Sequence, residues 1–255
     1  MNARELFQAE LTRRGATWSI AADGRCIVSV SSMQILVSLD NLDRQLAVED
    51  ADGGAVEAFT AGVFAAAELS PVTADGLYWF AEPNDYDVLA EIRAPVSPRL
   101  DRVLVHVTGD GGLIRWVARA HLDQVGLTVA DATDRAWANL DRAVHQAQVT
   151  TGEIAGAAVA MLATELPSKA SLLLAPALRE VVEEVIGWPV LAVAPDRDFV
   201  FLWNAGRRDL IAGMAGVVHR EYGRAPYPLS MEVFQISDSL RAVGTYAEAG
   251  DTPSS

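Results

Sequence analysis

The chain has 255 residues, about half of them hydrophobic and about a fifth charged, the composition of a globular protein and not of a disordered one. A chain this long buries roughly 70–75% of its unfolded surface without a disulfide or a structural metal. A formal net charge of −14 excludes a broad surface for nucleic acid or anionic membrane, because either would need clustered cations.

In chain order, residues 3–14 carry Leu6, Phe7 and Leu11 at helical spacing, and Gly15 comes next as a stop. Charges in this stretch occupy the place where an export signal needs an apolar core, so the expected location is cytoplasmic. Three short strands fit Thr17–Ala21, Arg25–Val30 and Gln34–Leu39, with Asp23-Gly24 as a tight turn. Cys26, the single cysteine, lies in the second strand. It reads as a small buried hydrophobe, with a nucleophile as the minority alternative. Asp40 can cap a helix that Gly53-Gly54 breaks, and Ala55–Leu69 is a second helix with Val56, Phe59, Val63 and Phe64 on one face. Pro71, Pro83, Pro95 and Pro98 then punctuate short apolar pieces, which read as loops and edge strands.

Leu104–Val107 and Leu113–Val117 form a hairpin around Gly109–Gly112, and Arg119–Val125 a short helical turn ending at Gly126. Thr128 caps a helix running to about Gln146, with Asp131 in its first turn and Ala132, Ala136, Leu140 and Ala143 inward. Ala157–Ala163 reads as a buried strand, against a competing alanine-rich helix. Ser168–Ile186 is helical but must kink or divide at Pro176. Val190–Ala194 and Phe199–Trp203 alternate little, which predicts a central strand pair buried on both faces. A helix over Arg207–Tyr222 and a strand over Leu229–Ile236 complete the order. The fold class is α+β. An N-terminal α+β part spans 1–150, a β-α-β-β-α-β segment of ferredoxin-like pattern spans 151–240, and 241–255 form a disordered tail. Residues 156–237 should form a four-stranded antiparallel sheet with its first and third strands adjacent and both helices on one face.

No nucleotide-binding glycine motif, zinc-protease helix, paired cysteine motif or nucleophile elbow is present. The four histidines, His106, His121, His145 and His219, lack metal-ligand spacing, so neither metal nor cofactor is expected. His145 lies four residues after Asp141, the spacing of a surface helical pair. The strongest candidate is Pro195-Asp196-Arg197-Asp198-Phe199, which packs three charges between two apolar strands. Arg197 could be held by flanking carboxylates and offered to an anion, or the turn could simply face water. A third possibility is that Arg197 folds back over the sheet end to meet a carboxylate or an anion.

Four stretches carry a resemblance. They are Val37–Leu42, Ala136–Leu140, Ala170–Asn204 with its Leu173-Leu174-Ala175-Pro176 and Ala192–Phe199, and Pro228–Ser230. In order and spacing they resemble the YtpQ-like bacterial proteins. The resemblance implies a cytosolic protein read as one unit; that family has no established activity and supplies no catalytic residues. Because the sequence shows no acid-base or nucleophile pattern and its N-terminal part is acidic and helix-rich, the expected function is non-catalytic binding of a protein or a small molecule, with no nucleic acid and no membrane. The alternative is a hydrolase-type enzyme assembled around Asp196, Arg197 and Asp198. Asn41 and Asn139 join these three as candidate site residues.

Overall fold

The computed structural model describes residues 2–20, 25–30, 33–37, 39, 42–43, 46–47, 54–67, 71–85, 90–108 and 114–246. The chain divides into two compact units. One is 1–70 with 225–227, and the other is 71–224 with 228–255. The boundary expected at 150/151 falls inside a strand. The expected turn at Asp23-Gly24, the cap at Asp40 and the glycine turn at 109–112 lie outside the described residues.

Among its described residues, the first unit carries a three-stranded antiparallel meander flanked by helical segments. Helix α1 (Ala3–Arg13) starts at a capping box, in which Asn2 accepts from the Glu5 amide and Glu5 reaches back to the Asn2 amide. Strands β1 (Thr17–Ile20), β2 (Cys26–Val30) and β3 (Met33–Val37) come next, in sheet order β1-β2-β3. Helix α2 (Gly54–Ala67) closes the unit. Phe7, Leu11, Cys26, Val28 and Val56 form its core, and Phe7 meets Phe59 edge-on at 5.4 Å.

The second unit carries two sheets. In the smaller one, β4 (Leu77–Pro83), β6 (Leu100–Val107) and β5 (Arg93–Pro95) lie in that order, and β7 (Ile114–Trp116) pairs with β6 beyond β5. Beside it run α3 (Arg119–Asp123) and α4 (Val129–Gln146). Thr128 and Asp131 form the N-terminal capping box of α4. β4 is an edge strand, and side chains close its free edge. Asn139 Nδ2 on α4 donates to the Ala74 and Leu77 carbonyls at 2.9 and 2.8 Å, and the Ala81 amide donates to Ser171 Oγ at 3.1 Å.

The larger sheet contains β8 (Gln148–Ile154), β9 (Ala157–Ala163), β10 (Val190–Asp196), β11 (Phe199–Asn204), β12 (Glu232–Ile236) and β13 (Leu240–Thr245). Helix α5 (Leu178–Ile186) lies between β9 and β10, and α6 (Asp209–Arg224) between β11 and β12. The strand order is β13-β12-β10-β11-β9-β8. Pro176 separates a 3-10 segment, Lys169–Leu174, from α5, as a proline that cannot donate requires. Ala155 and Gly156, at φ 49° and 72°, make the two-residue turn of the β8–β9 hairpin.

The order differs from the ferredoxin-like expectation at one strand. The first and third strands of the segment, β9 and β11, do pair. The fourth, β12, pairs with the second, β10, and not with the first. Each β-α-β crossover therefore steps over one strand in the same lateral direction, while β9 and β11 run oppositely. Right-handed crossovers then require the helices on opposite faces. Leu178, Val182 and Ile186 of α5 pack in the core shared with β4 and β6, whereas Leu210, Met214 and Val218 of α6 pack on Leu191, Val193 and Trp203. The central position of β10 and β11 matches the lack of alternation in their sequences. Strands β8 and β13 were not expected. Part of the expected tail is strand β13, and residues 247–255 lie outside the described residues.

Candidate functional site

Arg197 and Asp198 form the turn between β10 and β11. Asp196 Oδ1 accepts from the Asp198 amide at 2.6 Å, the local bond that makes aspartate a turn residue. The Arg197 carbonyl accepts from the Ala170 amide at 2.9 Å, which ties the turn to the 3-10 segment. The β10–β11 register shifts between Val193 and Asp196. Pro195, which has no amide hydrogen, falls inside this bulge, where no ladder bond is lost.

The Arg197 side chain does not project into water. It folds back and forms an ion pair with Glu82 on β4. Glu82 is 1% exposed and the Arg197 side chain 13%. Burial pushes the Glu82 carboxyl up, and the adjacent guanidinium holds it back. Asp101, directly across the ladder from Glu82, has its own counter-ion in Arg93 at 2.5 Å. Two carboxylates facing each other across strands repel, so each needs a separate arginine. A third buried carboxylate, Glu232 on β12, accepts from Ser97 Oγ at 2.6 Å and lies 3.2 Å from Ser230 Oγ.

Beside the turn is a groove of about 200 Å³. Met161, Ala163 and Phe199 form its apolar floor, with Thr150 on one side and Lys169 and Asp198 bearing its charges. Lys169 Nζ lies 3.4 Å from Asp198, whose side chain is 57% exposed. Burial pushes the neighbouring Asp196 carboxyl up, while its hydrogen bond from the Asp198 amide opposes that rise.

Of the residues singled out by sequence, Asp196, Arg197 and Asp198 share the turn. Asn139 is buried and sits at the other end of β4, five residues from Glu82 along the strand, or roughly 16 Å. Its amide serves the edge of β4. Asn41 lies outside the described residues. Glu82 and Lys169 were missed. Glu82 has one sequence signal, a lone carboxylate on the same strand face as Tyr78 and Phe80. His145 meets Glu180 at 3.6 Å instead of Asp141, which accepts from the Ala177 amide at 2.9 Å. Cys26 is fully buried, and desolvation pushes its thiol up, opposite to what a nucleophile needs. Among the described residues, no group of three or more His, Cys, Asp or Glu is placed to hold a metal ion. No described helix is long and apolar enough to cross a membrane.

No protein-family model, curated protein or solved structure matches this chain.

Proposed function

We propose that the protein acts in the cytoplasm by recognition and not by turnover. In this reading the groove beside the β10–β11 turn binds a ligand, or a segment of a partner protein, with an apolar body and an anionic head. The observation that carries it is the Lys169–Asp198 pair standing over an apolar floor. An exposed ion pair of this kind is worth only about 0–1 kcal/mol. An incoming carboxylate can therefore take the place of Asp198 at Lys169 at little cost, while its apolar body gains burial against Met161 and Phe199. The buried Glu82–Arg197 pair supplies a rigid base, since both flanks of the turn are tied down. Kinship with the YtpQ-like proteins belongs to the same reading, on the four sequence stretches that resemble them.

Hexanoate and hexanol separate the head from the body. Saturable stabilisation by hexanoate, weaker with hexanol and lost in Lys169→Ala, is the expected pattern in thermal denaturation. No response to hexanoate, or an equal response in Lys169→Ala, would overturn the assignment of the groove.

A further inference from the structure

We infer that the free edge of β8 is an interface between two copies of this chain, which pair their β8 strands antiparallel about a two-fold axis at Thr151. The interface is built from backbone groups and does not depend on the groove beside the β10–β11 turn.

A strand edge with unpaired backbone groups recruits another strand unless something blocks it. Elsewhere the second unit blocks its edges. The side chains of Asn139 and Ser171 close β4, Pro95 ends the three-residue β5, and a bulge at Val243, between the partners of Val233 and Phe234, bends β13. β8 has none of these devices. It is the last strand of its sheet, and its seven residues pair with β9 without a register shift. It contains no proline, Glu153 is its one charge, and five of its seven residues are exposed, so the edge is open to a partner. The hairpin turn fixes which backbone groups are free. Ala155 and Gly156 make a two-residue turn with both φ values positive, so Ile154 and Ala157 are the hydrogen-bonded pair that closes it. Bonded pairs alternate along an antiparallel ladder, so Gln148, Thr150 and Gly152 also bond to β9. Val149, Thr151 and Glu153 therefore turn their N–H and C=O groups to the open edge.

This spacing fits a second copy of the same strand. With the axis at Thr151, the two Thr151 residues face each other, and Val149 of each copy faces Glu153 of the other. All three outward residues of both strands are then bonded, as an isologous interface requires. Any other axis leaves at least one of the three opposite no residue of β8. Threonine opposite threonine is a favourable cross-strand pair. The single charge is also kept apart from its copy. The two Glu153 carboxylates stand four residues from each other along the ladder, roughly 13 Å, beyond the screening length of about 8 Å at physiological salt. Two strands of this length bury less than the ~1,200–2,000 Å² of a stable interface, and each copy carries a net charge of −14. The dimer is accordingly weak, and added salt strengthens it by screening that repulsion.

The test is sedimentation equilibrium of the full chain from about 1 μM to about 1 mM. The expected result is a monomer–dimer equilibrium that tightens as sodium chloride is raised. Thr151→Pro removes an amide hydrogen that β9 does not use, so the β8–β9 ladder survives while dimerisation weakens by roughly tenfold or more. Thr151→Lys keeps the amide but sets two like charges face to face. It should weaken the dimer similarly, and it carries the test if the proline variant does not fold. Cross-linking reads the register. Cys26, the single cysteine, is fully buried and does not interfere. Bonded partners in an antiparallel pair have Cα atoms about 5.5 Å apart, within the reach of a disulfide. Thr151→Cys should therefore link two copies under oxidised glutathione, and Glu153→Cys, with its thiols roughly 13 Å apart, should not. A wild type that stays monomeric at about 1 mM, wild-type dimerisation by folded Thr151→Pro or Thr151→Lys, or equal linking through both cysteine variants would overturn the interface.

Discussion

Replacing Arg197 with alanine removes the counter-ion of a carboxylate that is 1% exposed. Breaking a buried pair from one side strands the other charge, at a cost of ~3–5 kcal/mol. Neither partner is more than a third exposed, so solvent screening trims this little. For a unit of this size, each kcal/mol moves the melting midpoint by about 2–4 °C, which gives a drop of roughly 6–20 °C. The loss should also depend on pH. Burial already raises the Glu82 carboxyl above its ordinary value, and removing the arginine raises it further. A group whose folded-state pKa is raised binds more protons in the native state, so stability falls as pH rises. Arg197→Ala should therefore be closest to wild type below the ordinary carboxylate range and lose ground as pH climbs through the raised value. Urea denaturation at several pH values, within a double-mutant cycle with Glu82→Leu, measures both effects. The double variant should lose less than the two single losses added together. A change below ~0.5 kcal/mol at neutral pH, the behaviour of an ordinary surface residue, would refute the buried pair.

Three further outcomes are expected. Asn139→Ala removes the side-chain donor of the Leu77 carbonyl and one of two donors to the Ala74 carbonyl, which keeps the Leu77 amide, and should cost ~1–3 kcal/mol in urea denaturation; a neutral result would mean that water replaces the amide. Gly76→Ala brings a methyl group to within 2.7 Å of the Val107 carbonyl as well as the His106 ring, and should lower the melting midpoint by the equivalent of ~1–3 kcal/mol. An unchanged midpoint would show that the turn shifts freely. Burial raises the Tyr246 phenol to about 12, and its hydroxyl donates to the Ile211 carbonyl at 2.7 Å. Ultraviolet titration should therefore show a tyrosine that ionises late, and Tyr246→Phe should remove that step; its persistence would assign it elsewhere.

Much of this architecture was local enough to be legible in the amino-acid sequence. Capping residues such as Thr128 with Asp131, the stop at Gly15 and the break at Pro176 act through bonds to their own neighbours in the chain. Apolar spacing marked α1, α2, α4 and α6. The unbroken apolar runs of β10 and β11 announced a pair covered on both faces. β8 and β13 were missed because both are edge strands with mostly exposed residues, so no alternation of burial marks them. Strand order was decided elsewhere: pairing β12 with β10 or with β9 buries similar residues, so local pattern cannot choose between them. That choice sent α6 to the face opposite α5, through the handedness of the crossover. The candidate site divides in the same way. The Asp196-Arg197-Asp198 cluster stood out because charges between apolar strands are visible in one short string. Arg197's partner is 115 residues away, on a strand that reads as an apolar edge. What the arginine does was settled when the turn was brought against β4, because a buried carboxylate must find a counter-charge wherever the fold places one.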